Sequence, residues 1–179
     1  MINIMPELTP VFTAYEALVA EADAVFARVG EMHPDCEFLS FTNGTLIDEA
    51  FADEMLRVKN FIPAISLEGF EEVADGRRGN GVYQKAVRAM EILHDKHLPF
   101  GLSSCYASAN VDSIASEAFI DFICGLGARF IWYFHYMPVG NDAAPELLPS
   151  PEQREYMYHR IREIRSTKPI FAMDFQNDG

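Results

Sequence analysis

The stretch from Phe38 to Gly69 sets the fold class. It reads Phe38-Leu39-Ser40-Phe41-Thr42-Asn43-Gly44-Thr45, then an amphipathic run, then Pro63-Ala64-Ile65-Ser66-Leu67-Glu68-Gly69. Each end is a short apolar run that finishes in polar residues. The run between them has Asp48 as a cap and Phe51, Met55 and Val58 on one helical face. Strand, helix, strand in this order predicts a βαβ unit with parallel strands. Both polar tips then share the carboxyl-end rim, where open α/β sheets and barrels bind ligands. The pattern therefore predicts Thr42, Asn43, Ser66 and Glu68 at one mouth.

The same alternation runs to the end of the chain. The predicted strands are Glu37 to Thr42, Ile62 to Leu67, Pro99 to Cys105, Arg129 to Tyr136 and Ile170 to Phe175. Between them, Glu68 to Asn80 predicts a polar loop. Gly81 to His97 predicts a helix with Val82, Ala86, Val87, Met90 and Leu93 inward. Tyr106 to Val111 reads as a rim loop. Asp112 is placed to cap the next helix, which ends near Gly125 and Gly127. Met137 to Pro149 reads as a loop. Ser150-Pro151-Glu152-Gln153 is a capping box that opens a helix over 151–166. Upstream, Thr9-Pro10 starts a helix with Phe12, Tyr15, Leu18, Val19, Ala22, Phe26 and Val29 at helical spacing, and Gly30 is placed to end it.

The expectation is one α/β domain over 1–179. Residues 1–32 form an atypical N-terminal helix. Residues 33–175 form either an open parallel sheet or a partial (β/α) TIM-like barrel, with about five strands and helical crossovers.

Composition narrows the function classes. The 179 residues are 49% apolar and 23% charged, within the globular range. A net charge of -13 argues against a nucleic-acid or anionic-membrane partner, since phosphate contact needs Lys and Arg. No apolar run approaches the roughly 20 residues of a membrane span. The N-terminus lacks the basic flank and apolar core of a secretory signal. Cys36, Cys105 and Cys124 are odd in number and far apart, as expected of reduced thiols in a cytoplasmic protein.

Five short segments carry a resemblance. They are Thr42-Asn43-Gly44-Thr45-Leu46-Ile47, Ile65-Ser66-Leu67-Glu68-Gly69, Arg78-Gly79-Asn80-Gly81-Val82-Tyr83, Asn110-Val111-Asp112 and Met137-Pro138-Val139-Gly140. In order and spacing they resemble the radical S-adenosylmethionine (radical SAM) enzymes. The likeness is to the branch that carries a C-terminal extension for auxiliary clusters and modifies peptides or cofactors.

The resemblance implies a parent of oxidoreductase or transferase type. It would cleave S-adenosylmethionine reductively to a 5′-deoxyadenosyl radical, with a [4Fe–4S] cluster as reductant and a peptide as a substrate. It also implies cofactor contacts. Ser66 and Glu68 would meet the ribose or amino-acid part, with Thr42 and Asn43 beside them. Arg78 would meet the carboxylate. Asn110 would meet ribose or carboxylate. Tyr136 to Gly140, Pro138 included, would offer backbone groups to the adenine.

The chain departs from the family in two places. It has no CxxxCxxC loop and no Gly-Gly-Glu segment, and its cysteines are tens of residues apart. It therefore reads as the middle and C-terminal part of such a barrel, without the cluster loop or the extension. The expectation is a truncated, inactive chain that binds neither cluster nor S-adenosylmethionine, and no catalytic residue or metal ligand is assigned. The alternative is a non-catalytic α/β remnant that self-assembles, as a dimer, through exposed sheet edges.

Plainer readings compete at several positions. Asn43-Gly44 is also a turn dipeptide, and Arg77-Arg78 also reads as a solvated pair. Gly76 to Gly81 suggests a phosphate cradle but lacks the Lys and Ser/Thr that should follow. His94 and His97 suit a helix C-terminus better than a metal site. Glu71, Glu72 and Asp75 read as a solvated acidic loop. His135 reads as core or surface filler, and Phe130, Trp132, Tyr133 and Phe134 as core. A weaker possibility is an unrelated barrel enzyme with Glu68 and Asp174 as an acid–base pair.

Overall fold

The computed structural model describes residues 28–139 and 143–178. Within them the order is β1 (Phe38–Thr42), α1 (Glu49–Val58), β2 (Phe61–Ser66), α2 (Glu71–Arg78), α3 (Val82–Asp95), β3 (Gly101–Tyr106), α4 (Val111–Ile114), α5 (Glu117–Gly125) and β4 (Phe130–His135). A 3-10 turn (Pro145–Leu147), α6 (Pro151–Thr167) and β5 (Phe171–Asp174) complete it. The helix expected over 10–29 falls, up to residue 27, outside the described residues. Residues 28–32 are helical and run through Gly30 rather than ending there.

The five strands form one sheet in the order β1-β2-β3-β4-β5, and every neighbouring pair is parallel. The strand order never reverses. Right-handed crossovers in one direction lay all the helices on the same face, as in a barrel; a doubly wound sheet would switch sides. The fold is thus α/β with five parallel strands as expected, and of the two forms left open it is the part-barrel.

Local signals account for most boundaries. Asp48 Oδ1 accepts from Phe51 N at 2.9 Å, which caps α1. Ser150 Oγ accepts from Gln153 N at 3.2 Å while Ser150 N donates to Gln153 Oε1 at 2.9 Å, the reciprocal box that starts α6.

Two expectations need correction. The stretch read as a loop over 68–80 contains α2. Glu71 and Glu72 lie in its first turn and Arg77 and Arg78 in its last, which suits the helix dipole. The helix expected from Asp112 is split into α4 and α5. Ser116, not Asp112, caps the longer piece, with its Oγ accepting from Phe119 N at 3.1 Å.

The core lies between the outer face of the sheet and the helices. Ile65, Leu67, Leu102, Ile131, Tyr133 and Ala172 meet Met90, Leu93, Phe119, Ile123, Met157 and Ile161 there. Tyr133 OH, fully buried, donates to Ile114 O at 3.2 Å and so closes its one polar end.

The inner face is different. The strand registers place Phe41, Ala64, Gly101, Ser103, Trp132 and Phe134 on it. Phe41 and Trp132 belong to strands three apart, about 14 Å in a flat sheet. Their ring centroids are 5.4 Å apart, so the sheet is strongly curled. Phe175 joins them, 4.7 Å from Phe134. Small residues in the middle strands make room for these rings. A side chain at Gly101 would collide with the Phe130 ring.

Candidate functional site

Because all strands are parallel, Asn43, Ser66, Glu68, Cys105 and Tyr136 emerge at one carboxyl-end rim. Glu68 follows β2 with its side chain buried on the inner side, at 1% exposure. Arg78 comes from the last turn of α2 and meets it in a two-pronged pair. Its Nε donates to Glu68 Oε2, and its Nη2 to Oε1, each at 2.5 Å. Hydrogen bonding to Glu68 raises the Arg78 guanidinium pKa against the cost of desolvation. Cys105 lies within electrostatic reach of the same guanidinium.

The other residues singled out in the sequence fall into two groups. Asn43, Arg77, Arg78 and Val82 line a cleft of about 320 Å³. Asn43 Oδ1 accepts from Thr45 N at 3.0 Å and from Thr45 Oγ1 at 2.8 Å, which leaves its amide nitrogen. Ser66 pairs with Ser103 across β2 and β3 and is half-buried.

The second group is tied up in local structure. Thr42 Oγ1 turns back to accept from Gly44 N at 3.1 Å, and its register with Ile65 puts it on the outer face. Asn110 is buried; its Oδ1 accepts from Ala107 N at 2.7 Å and its Nδ2 donates to Cys105 O at 3.1 Å. It shapes the loop after β3 with both ends of its amide. Tyr136 OH accepts from Ala144 N at 3.0 Å, and Pro138 is half-buried beyond it. Gly140 lies outside the described residues.

Asp75 is the residue the sequence hid. Its Oδ2 accepts from Gly81 N at 2.6 Å and its Oδ1 from Tyr83 N at 2.8 Å. The acidic loop reading is therefore wrong at this position: Asp75 caps α3 from the preceding helix. The backbone N–H groups a phosphate cradle would need are taken by this carboxylate. Those bonds, Tyr83 N first, hold the Asp75 carboxyl below the usual Asp range.

A depressed carboxyl adds stability above its unfolded pKa and loses it as pH falls through the lower folded value. Asp75→Asn is therefore expected to melt below the wild type at neutral pH. The two curves should converge as pH drops below about 4, the ordinary Asp value. A gap that stays constant in melts across that range would show that Asp75 does not cap as a carboxylate.

The acid–base alternative is not assembled. Asp174 stands in register with Tyr133, whose side chain is on the helix side, whereas Glu68 shares its face with Ser66 on the inner side. His94, His97 and Arg129 line a separate cleft of about 300 Å³ at the opposite, amino-end rim. Among the described residues no three His, Cys, Asp or Glu side chains are placed to hold a metal ion.

The three thiols do not fit an iron–sulfur cluster. Cys36 is exposed ahead of β1, Cys105 is near the inner rim of β3, and Cys124 is in the last turn of α5. The rim presents polar groups instead: the amide nitrogen of Asn43, the hydroxyl of Ser66 and Arg78 Nη1, which the Glu68 pair does not use.

Fold and rim together define a parallel α/β part-barrel with its polar ligand end at the strand carboxyl termini. No family model matches the chain. The serine-type anaerobic sulfatase-maturating enzyme of Klebsiella aerogenes is 32% identical over 107 residues, 58% of this chain and 25% of that protein. The chain thus matches about a quarter of that relative's length. Among solved structures, Streptococcus suis SuiB superposes with TM-score 0.60 at 12% identity, over 76% of this chain and 32% of SuiB. The sulfatase-maturating enzyme anSMEcpe with bound AdoMet gives TM-score 0.59 at 17% identity, over 75% of this chain and 37% of that one. The radical SAM resemblance carried by the five motifs is supported by these likenesses: the chain is similar in sequence to part of a sulfatase-maturating enzyme and shares the fold of SuiB and anSMEcpe.

Proposed function

We propose that the chain supplies the nucleoside-side rim of a radical SAM-type maturase that acts on a peptide or a cofactor. The observation that carries this is the consecutive parallel strand order, which delivers Asn43, Ser66 and the Glu68–Arg78 pair to one mouth. S-adenosylmethionine, when bound, supplies the family's radical chemistry. The residues of this chain bind and orient. Ser66 and the Asn43 amide hydrogen-bond the ribose or amino-acid part, and Arg78 Nη1 faces its carboxylate while the buried Glu68 holds the guanidinium in place. Thr42, Asn110 and Tyr136 shape the backbone around the guest, with Pro138 beside it. A peptide substrate is supported by the solved structures of anSMEcpe with a bound Cp18Cys peptide and of SuiB bound to the precursor peptide SuiA.

With its own three thiols the chain forms no [4Fe–4S] cluster and cleaves no S-adenosylmethionine. Anaerobic reconstitution with iron and sulfide is expected to leave it colourless; a brown protein would overturn this. In the isolated chain no stable cofactor complex is expected. An NMR titration with S-adenosylhomocysteine should instead give fast-exchange shifts confined to Asn43, Ser66, Glu68, Arg78 and Asn110. Shifts centred elsewhere would remove the rim assignment.

One observation favours a second reading, self-assembly. Edge strand β1 exposes Leu39 and Phe41 at 41% and 50%, and the β5 edge exposes Phe171 and Phe175 at 53% and 52%. Light scattering would then report a dimer. A monodisperse monomer sinks it.

A further inference from the structure

Four buried side-chain polar atoms among the described residues have no hydrogen-bond partner: Asn60 Oδ1, Tyr106 OH, His135 Nδ1 and Asp174 Oδ1. Three of the four fall in one place. Tyr106 and His135 are register partners on β3 and β4, and their rings meet edge to face with centroids 6.1 Å apart. Asp174 on β5 is the register partner of Tyr133, two residues before His135, and so is the diagonal neighbour of His135 on the same outer face. Its charge is felt at the Tyr106 hydroxyl. Tyr106 and Asp174 are completely buried.

The surrounding structure closes the place without satisfying it. Asp174 Oδ2 accepts from Asn177 Nδ2 at 2.6 Å, which leaves Oδ1. Ser108 N donates to Leu147 O at 3.0 Å and Gln153 Nε2 to Ser108 O at 2.9 Å, so the loops after β3 and β4 are stitched to the start of α6. Arg154, on that first stretch of α6, acts electrostatically on Tyr106.

A buried polar group without a partner is costly and rare, and three together on adjacent strands are rarer still. Their chemistry specifies the partner. The Asp174 carboxylate only accepts. The Tyr106 phenol, its pKa pushed up to about 12 by burial and then by Asp174, keeps its proton and donates. The His135 Nδ1 of a neutral imidazole accepts when the proton is on the other nitrogen. A small molecule with two donors and one acceptor completes all three. Asp174 repels an anion, and a phenol with an imidazole is a poor set for a hard cation.

We propose that Tyr106, His135 and Asp174 hold one internal water that ties the carboxyl ends of β3, β4 and β5 from the outer side. Three hydrogen bonds are the usual complement of a buried water. The tie lies directly behind the rim and fixes the strand ends that carry Cys105 and Tyr136. It stands independently of any cofactor at the rim.

A high-resolution crystal structure of the full chain tests it. The expected result is one solvent peak within hydrogen-bond distance of all three atoms. Direct bonding between the side chains with no peak overturns the proposal, and so does a peak that becomes anomalous after a thallium(I) soak, which marks a cation. In solution, Tyr106→Phe, Asp174→Asn and the double variant provide a second measure. A shared water makes the second substitution at least threefold less costly in the unfolding constant than the first, whichever comes first. Additive effects overturn the proposal.

Discussion

Replacing Arg78 with methionine is expected to destabilise the chain by about 3 kcal/mol in urea unfolding. Removing one member of a buried pair leaves the other charge without compensation, at a cost of about 3–5 kcal/mol. The lower end applies because Arg78 keeps 26% of its side chain exposed while Glu68 keeps 1%. The loss falls on both oxygens at once, since Nε and Nη2 each hold one. The double variant Glu68→Gln with Arg78→Met should recover much of the loss, because no charge is then buried. If Arg78→Met alone melts like the wild type, the pair is not formed in solution, and Glu68 is free to serve the rim directly.

The second large effect is expected at Phe119. Its side chain is fully buried, and its ring meets Phe70 edge to face with centroids 5.7 Å apart. It is also the residue whose N–H the Ser116 cap holds, so it fixes the start of α5 on the sheet. Phe119→Ala removes a large buried ring and leaves a cavity, at a cost of about 3–5 kcal/mol. Phe119→Leu, which keeps most of the volume, should cost less than half of that. Equal losses for the two would place the energy in the aromatic contact with Phe70 rather than in the filled volume.

Much of the layout is legible in the sequence. Apolar runs of strand length alternating with helical spacing bring the tips at Asn43, Ser66 and Glu68 to one rim, although Thr42, expected beside them, faces the outer side. That rule depends only on period and chain direction. Ser150 and Asp48 were legible for the same reason, since a cap acts over two or three residues. The helix over 71–78 was not legible. Gly76 and a run of charges lower its intrinsic propensity, and its support comes from elsewhere: Glu68 holds Arg78, and Ala74 is buried against the core.

The roles within the rim were harder still. The motifs mark Glu68 and Arg78 as separate cofactor contacts, and nothing in their spacing shows that Arg78 Nε and Nη2 hold Glu68 and leave only Nη1 open. At Asn110 the same motif reading does not reveal that both ends of the amide bond the loop after β3. Asp75 gave no signal at all, because its partners at Gly81 and Tyr83 lie across a turn whose path is not written in any local pattern.

Residue order alone determines the parallel repeat, the rim at its carboxyl ends and the resemblance of the five motifs, since each of these rests on spacing along the chain. Which carboxylate faces which guanidinium, how Phe41 comes to touch Trp132 across two intervening strands, and why three buried polar atoms of β3, β4 and β5 share one corner are decided by the curl and register of the sheet. Those depend on contacts between residues tens of positions apart, whose free energies are realised only when the layers have packed.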